Sequence, residues 1–100
     1  MIFSDEEPQV LPSVITLKHL LSDIIEPDFG LVDELLRLQV LSHKQCDKVR
    51  RERTVYKRND TLLELLTSED QCVQFLEALR RTEQQHVANF ITQNGGQKRT

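Results

Sequence analysis

The chain has no tryptophan, and aromatic residues make up only 5% of it, so it lacks the stacking platforms that single-stranded nucleic-acid binders use. Two cysteines without a Cys-x-x-Cys spacing exclude a disulfide framework and a zinc ribbon. No apolar run approaches the roughly 18 residues that a membrane span needs. The first residues, MIFSDEEPQ, are acidic where a secretory leader would be basic, so secretion is not expected. Strand-like alternation, low-complexity segments and internal repeats are all missing. What remains reads as one reduced domain, cytoplasmic or nuclear, of one hundred residues with a core of Leu, Val and Ile, the composition of a small helical bundle.

The net charge of −3 conceals an asymmetry. Between Lys44 and Arg58 stand seven basic residues against only Asp47 and Glu52, while the rest of the chain is acidic. A molecule charged in this way can attract the opposite pole of a neighbour of like shape. The sign changes within the stretch Gly30–Thr54, GLVDELLRLQVLSHKQCDKVRRERT, where Val40 and Leu41 read as an apolar wedge at the corner between two helices.

Periodicity predicts six short helices. Residues 1–12 hold two prolines and the acidic run Asp5-Glu6-Glu7 and read as a lead-in. Ser13 is expected to cap a first helix whose inward face is Val14, Leu17, Leu20, Leu21, Ile24 and Ile25, stopped before Pro27. Asp28 is expected to cap a second helix with Leu31, Val32, Leu35 and Leu36 inward, Asp33 and Glu34 in mid-helix and an Asp33–Arg37 surface pair. Ser42 and Gln45 have the spacing of a capping box for a third helix, with Cys46 and Val49 inward and Lys44, Lys48 and Arg51 as an outward stripe. A fourth helix spans about Thr54 to Leu66, with Asn59 at a position where an apolar residue belongs. Ser68 and Gln71 form a second box ahead of Cys72, Val73, Phe75, Leu76 and Leu79. Thr82 and Gln85 form a third, opening a helix with Val87, Phe90 and Ile91 that ends at Asn94-Gly95-Gly96. The domain is expected over 13–93, with 94–100 as a polar tail or a linker to a further domain, and Met1 as a natural start.

These residues carry a resemblance. The run VDELLRLQVLSHKQCDKVRRERT is similar to the caspase recruitment domain of the death-fold superfamily. The shared features are an LL-containing second helix, a VLS corner, a third helix and a closing V-R-x-E-x-T (Val49, Arg50, Glu52, Thr54). FLEALRRTEQQHVANFI resembles the last two helices of that family, most of all those of initiator-caspase and adaptor members. The chain departs from the family in lacking a glycine between Leu66 and Asp70, and in having Asn59 at a usually apolar position. The resemblance implies an antiparallel six-helix Greek-key bundle without catalysis or cofactor. It further implies homotypic docking with another such domain, in a caspase, adaptor, receptor or kinase, during apoptotic or inflammatory signalling. Oligomer or filament assembly and self-association belong to the same expectation.

The basic surface expected to dock consists of Lys48, Arg50, Arg51, Arg53, Lys57 and Arg58, and the acidic surface of Asp23, Glu26, Asp28, Asp33 and Glu34. A solvated helix face is the plain alternative for the bases; their clustering and the predominance of arginine, which binds carboxylates bidentately, favour docking. For the acids the alternative is helix capping, Asp28 above all. His43 and Cys46 lie three apart, but a metal site would need converging ligands from other helices, so neither a metal nor a catalytic residue is assigned. A helix-turn-helix that binds nucleic acid is the rival class, set against by the overall acidity and by the acids on the neighbouring helix. A stand-alone domain of the same family that blocks assembly is the other alternative. No membrane partner is expected.

Overall fold

The computed structural model describes residues 9–94. Among these, every regular element is helical: α1 (Val10–Thr16), α2 (Lys18–Ile24), α3 (Leu31–Arg37), α4 (His43–Arg50), α5 (Val55–Glu64), α6 (Glu69–Arg81) and α7 (Gln85–Asn94). The expected six become seven because the first is broken at Leu17, whose ψ of 7° leaves the helical region while its N–H still reaches the Ser13 carbonyl at 2.9 Å. No proline or glycine marks that break. It turns the second half of the segment, so that Leu21, Ser22 and Ile25 face inward while Leu20 and Ile24 are 53% and 42% exposed, contrary to the expected buried face.

Other local expectations are corrected too. α1 begins at Val10, and Ser13 is buried inside it and not its cap. The first N–H groups of α1 are satisfied from far along the chain, because the Glu69 carboxylate accepts from Val10 N (2.7 Å) and Leu11 N (2.9 Å). The N-cap of α3 is Gly30, not Asp28; its φ of 103° is a conformation that glycine adopts without strain. Asp33 and Glu34 fall in the first turn of α3, where carboxylates favour the helix dipole, and Arg37 pairs with Glu34 rather than Asp33. Val73 is exposed, and α5 ends at Glu64.

Two of the three predicted boxes hold at least in part. Ser42 and Gln45 close theirs completely, at 2.9 and 3.2 Å. Ser68 accepts from Gln71 N at 3.1 Å, but the Gln71 side chain turns elsewhere, accepting from Thr67 N and donating to the Val40 carbonyl. Thr82 opens no helix: it ends α6, its hydroxyl donating to the Ala78 carbonyl at 2.8 Å. Both α3 and α6 close with a Schellman pattern whose left-handed residue is not glycine. Gln39 (φ 64°) and Glu83 (φ 66°) occupy it, and the next residues, Val40 and Gln84, donate back to Leu35 and Leu79.

Leu21, Leu31, Leu35, Leu62, Phe75, Leu79 and Ile91 are fully buried and fill the centre. α1 packs on α6 and α7, α2 runs against α5 and α3 against α6, so helices distant in sequence pack together alongside consecutive pairs such as α4 with α5 and α6 with α7. Lys18 meets Asp60 and Glu64 while Ile25 meets Asn59, which makes α2 and α5 antiparallel. Asn59, inward but polar, is explained by what it holds. Its buried amide donates to the Ser22 and Ile25 carbonyls, each at 2.9 Å, groups that the end of α2 leaves without helical partners. Gln84 continues the grip one residue on, accepting from Glu26 N (2.7 Å) and donating to Glu26 O (2.9 Å). The wedge at Val40 and Leu41 is buried, as its apolar side chains require.

Candidate docking surface

The basic residues of the sequence occupy α4, the bend that follows it, and the first turn of α5. Their placement starts with the Ser42 box, which fixes where α4 begins. Cys46 and Val49 then turn inward, and Lys44, Lys48 and Arg51 are left on the outer face. Seven residues of helix separate Lys44 from Arg51, about 10 Å along the axis. With Gln45, Asp47 and the half-buried Leu65 of α5's end, they line an open groove of about 570 Å³. Arg53 lies exposed in the bend. Lys57 and Arg58 lie in the first turn of α5, behind the Thr54 cap, where a cation opposes the helix dipole.

Some of these charges already have partners within the chain. Arg50 is bonded to Asp33 across the α3–α4 corner. Arg58 takes both Asp28 oxygens at 3.0 Å and donates a third bond to the Glu52 carbonyl at 2.8 Å. Glu34 is shared between Arg37 and Arg81, and the Arg37 contact, followed by its charge, holds the Glu34 carboxyl below its ordinary range. Among the described residues, Lys44, Lys48, Arg51, Arg53 and Lys57 have no carboxylate within ion-pair distance. On the acidic side the same holds for Asp23, on the outside of α2, and for Glu26, whose backbone alone is engaged.

The sequence separates a basic pole from an acidic remainder; the structure makes the two surfaces border each other. Asp28 and Asp33 lie beside Arg58 and Arg50 because the α2–α3 turn packs over the start of α5 and α3 packs against α4. Bonds between residues 17 and 30 positions apart leave no local signal in the sequence.

One feature was missed outright. Phe29 is 78% exposed at the tip of the α2–α3 turn, held between the Asp28–Arg58 fork and the left-handed Gly30. A Pro-Asp-Phe-Gly run between two helices marks a turn, and a turn belongs to no buried helix face; that signal was available.

Elsewhere the chemistry is sparse. Cys46 and Cys72 are buried free thiols, and burial raises both, Cys72 to about 11 with help from Glu69. His19 shares a 3.1 Å hydrogen bond with the Tyr56 hydroxyl. Among the described residues no three His, Cys, Asp or Glu side chains converge on a metal position, and no helix is long and apolar enough to cross a membrane.

The family model of the caspase recruitment domain matches residues 16–94. Neither the curated proteins nor the solved structures contain a match to this chain.

Proposed function

Because the chain belongs to the caspase recruitment domain family, a family of homotypic protein-interaction modules in apoptotic and inflammatory signalling, we propose that it recruits a partner of the same fold through the basic face of α4. The docking cations are Lys48, Arg51, Arg53 and Lys57, with Lys44 at the far end of the stripe. Arg50 and Arg58 border that face and tie it to α3 and the α2–α3 turn. The partner presents carboxylates, as Asp23 and Glu26 do here.

The observation that supports this reading is the unequal use of charge. The chain pairs Arg50, Arg58, Arg37 and Lys18 with its own acids, yet Lys44, Lys48, Arg51, Arg53 and Lys57 are exposed and, among the described residues, without a carboxylate within ion-pair distance. Lys57 even stands where the helix dipole disfavours it. Separate exposed pairs contribute little, so the surface works only as a set.

The test is a charge reversal at two positions that hold nothing else. K48E/R51E abolishes binding to a partner domain while helical content and melting stay at wild-type values, and wild-type binding weakens as salt rises. Binding that survives the double reversal at low salt removes α4 from the interface.

A further inference from the structure

Two apolar features lie at opposite ends of the α2–α5 pair. The first is Phe29, 78% exposed at the tip of the α2–α3 turn beside the Asp28–Arg58 fork. The second is a groove of about 390 Å³ between α1 and the end of α5. Val14, Leu63 and Leu66 line it together with the 64% exposed Ile15, and Lys18 and Glu64 complete its wall. Its size lies within the roughly 300–1,000 Å³ of small-ligand pockets, room enough for one phenyl ring. Because α2 and α5 are antiparallel, Lys18 meets Glu64 at the groove's end of the pair, while Asp28 meets Arg58 at the other. The ten residues of α5, about 15 Å of helix, set the two features apart.

We propose that this groove takes Phe29 of a second copy of the chain, so that copies stack head to tail along the α2–α5 axis. A knob and a hole on different parts of one surface make a heterologous contact, which each added copy can repeat. The charges select the same stacking. α5 has Arg53 just ahead of it and Lys57 in its first turn, but Asp60 and Glu64 in its second half. α2 runs the other way, with Lys18 at its start and Asp23 and Glu26 at and beyond its end. Copies stacked in one orientation bring Asp60 and Glu64 of the first towards Arg53 and Lys57 of the next, and Lys18 of the first towards Asp23 and Glu26. Both helices therefore meet their neighbours with opposite signs. Among the described residues Lys18 is shared by Asp60 and Glu64, so one negative charge of that trio is left over for a neighbour's cation. A buried phenylalanine covers roughly 150–250 Å², far less than the about 1,600 Å² of a standard interface, so each contact is weak and shows at high protein concentration.

Phe29 and Ile15 are both exposed, so replacing either leaves the bundle folded, which helical content checks. In sedimentation of the full chain at rising concentration, the wild type grows past the mass of a dimer, and F29S and I15K associate at least about tenfold more weakly. F29S keeps the groove and I15K keeps the ring, so a mixture of the two recovers one contact and stops at 1:1 pairs. In that mixture unlabelled I15K shifts the amide signals of Ile15, Glu64 and Thr67 in isotope-labelled F29S and leaves those of Lys48 and Arg51 in place. K48E/R51E retains both apolar features and stacks as the wild type does, which separates this contact from docking on α4. A wild type that stays monomeric, an F29S chain that associates like the wild type, or a mixture that fails to pair overturns the proposal. Shifts on α4 in place of the groove overturn it too, as does self-association that K48E/R51E loses and F29S keeps; both outcomes assign the contact between copies to the basic face.

Discussion

Arg58 and Asp28 meet fork to fork, with Nε and Nη2 each 3.0 Å from one carboxylate oxygen, and Nη1 is spent on the Glu52 carbonyl. One guanidinium thus joins the α2–α3 turn, the bend after α4 and the start of α5. A side chain so engaged is part of the fold, whatever else it touches.

The contrast with Arg51 can be measured. R58A leaves Asp28 and the Glu52 carbonyl without their donor and lowers stability by about 1–2 kcal/mol, read as a shift in urea midpoint at constant slope. R51A, at an exposed position without a carboxylate partner among the described residues, stays within about 0.5 kcal/mol of wild type yet weakens partner binding. If the two substitutions cost the same stability, the division of the basic surface into bracing and docking members is wrong.

Asn59 yields the sharpest stability test. It is wholly buried in an otherwise apolar helix face, and its two N–H groups serve two carbonyls at the end of α2. N59L restores an apolar pattern but strands both carbonyls, at a cost of about 2–4 kcal/mol. N59D has nearly the same shape, yet it places oxygen against oxygen and destabilises at least as much. A leucine variant as stable as the wild type would show that the amide is a passenger rather than the tie between α2 and α5.

How much of this could be read from the amino acids depends on whether the cause is local. The Ser42–Gln45 box, the inward Cys46 and Val49 and the anomaly at Asn59 were all legible, because each depends on residues within one or two helical turns. The family resemblance carried by VDELLRLQVLS and V-R-x-E-x-T was legible too, and the match over residues 16–94 bears it out. The break at Leu17 was not, since an ordinary leucine at an apolar position gives no warning of it. Thr82 and Gln85 satisfy the spacing of a capping box, but Glu83 takes the left-handed conformation that glycine usually marks, and the pattern becomes the end of a helix instead. Least legible were the bonds of Arg50 and Arg58. Composition shows a basic cluster, and only packing shows which members of it already have partners.

Burial of the two thiols makes stability depend on alkaline pH in a defined sense. Cys72 titrates at about 11 in the fold, raised first by burial and then by the charge of Glu69, whereas an exposed thiol titrates near ~8.5. Between those values the unfolded chain has lost a proton that the folded chain keeps, so unfolding becomes easier as pH rises. The contribution is constant below about pH 8, declines through the window and levels above about 11. Urea midpoints of wild type and C72A across pH 7 to ~11 separate this thiol from other groups, since only the wild type carries it. Parallel curves for the two proteins would contradict the assignment. Alkylation of Cys72 at pH ~8 should likewise wait for global unfolding, its rate following the urea-dependent population of open chains.

The seven-residue α1 is too short to hold itself, and its N-cap, Gln9, makes no side-chain bond. Its first donors are taken by Glu69 from 59 and 58 positions along the sequence, so the start of α1 and the start of α6 form together. E69A removes both acceptors and E69Q keeps one oxygen without the charge. The expected losses are about 1–2 kcal/mol and about half that, in that order. The more telling readout is local, by hydrogen exchange at pH 7. In E69Q the amides of Val10, Leu11, Ser13 and Val14 lose protection well beyond the global loss, while those of Leu62 and Leu79 in the core follow the global loss alone. Uniform change at all these amides would mean that Glu69 acts on the bundle as a whole. In that event α1 is anchored by its packing on α6 and α7, and the carboxylate is only an ornament on it.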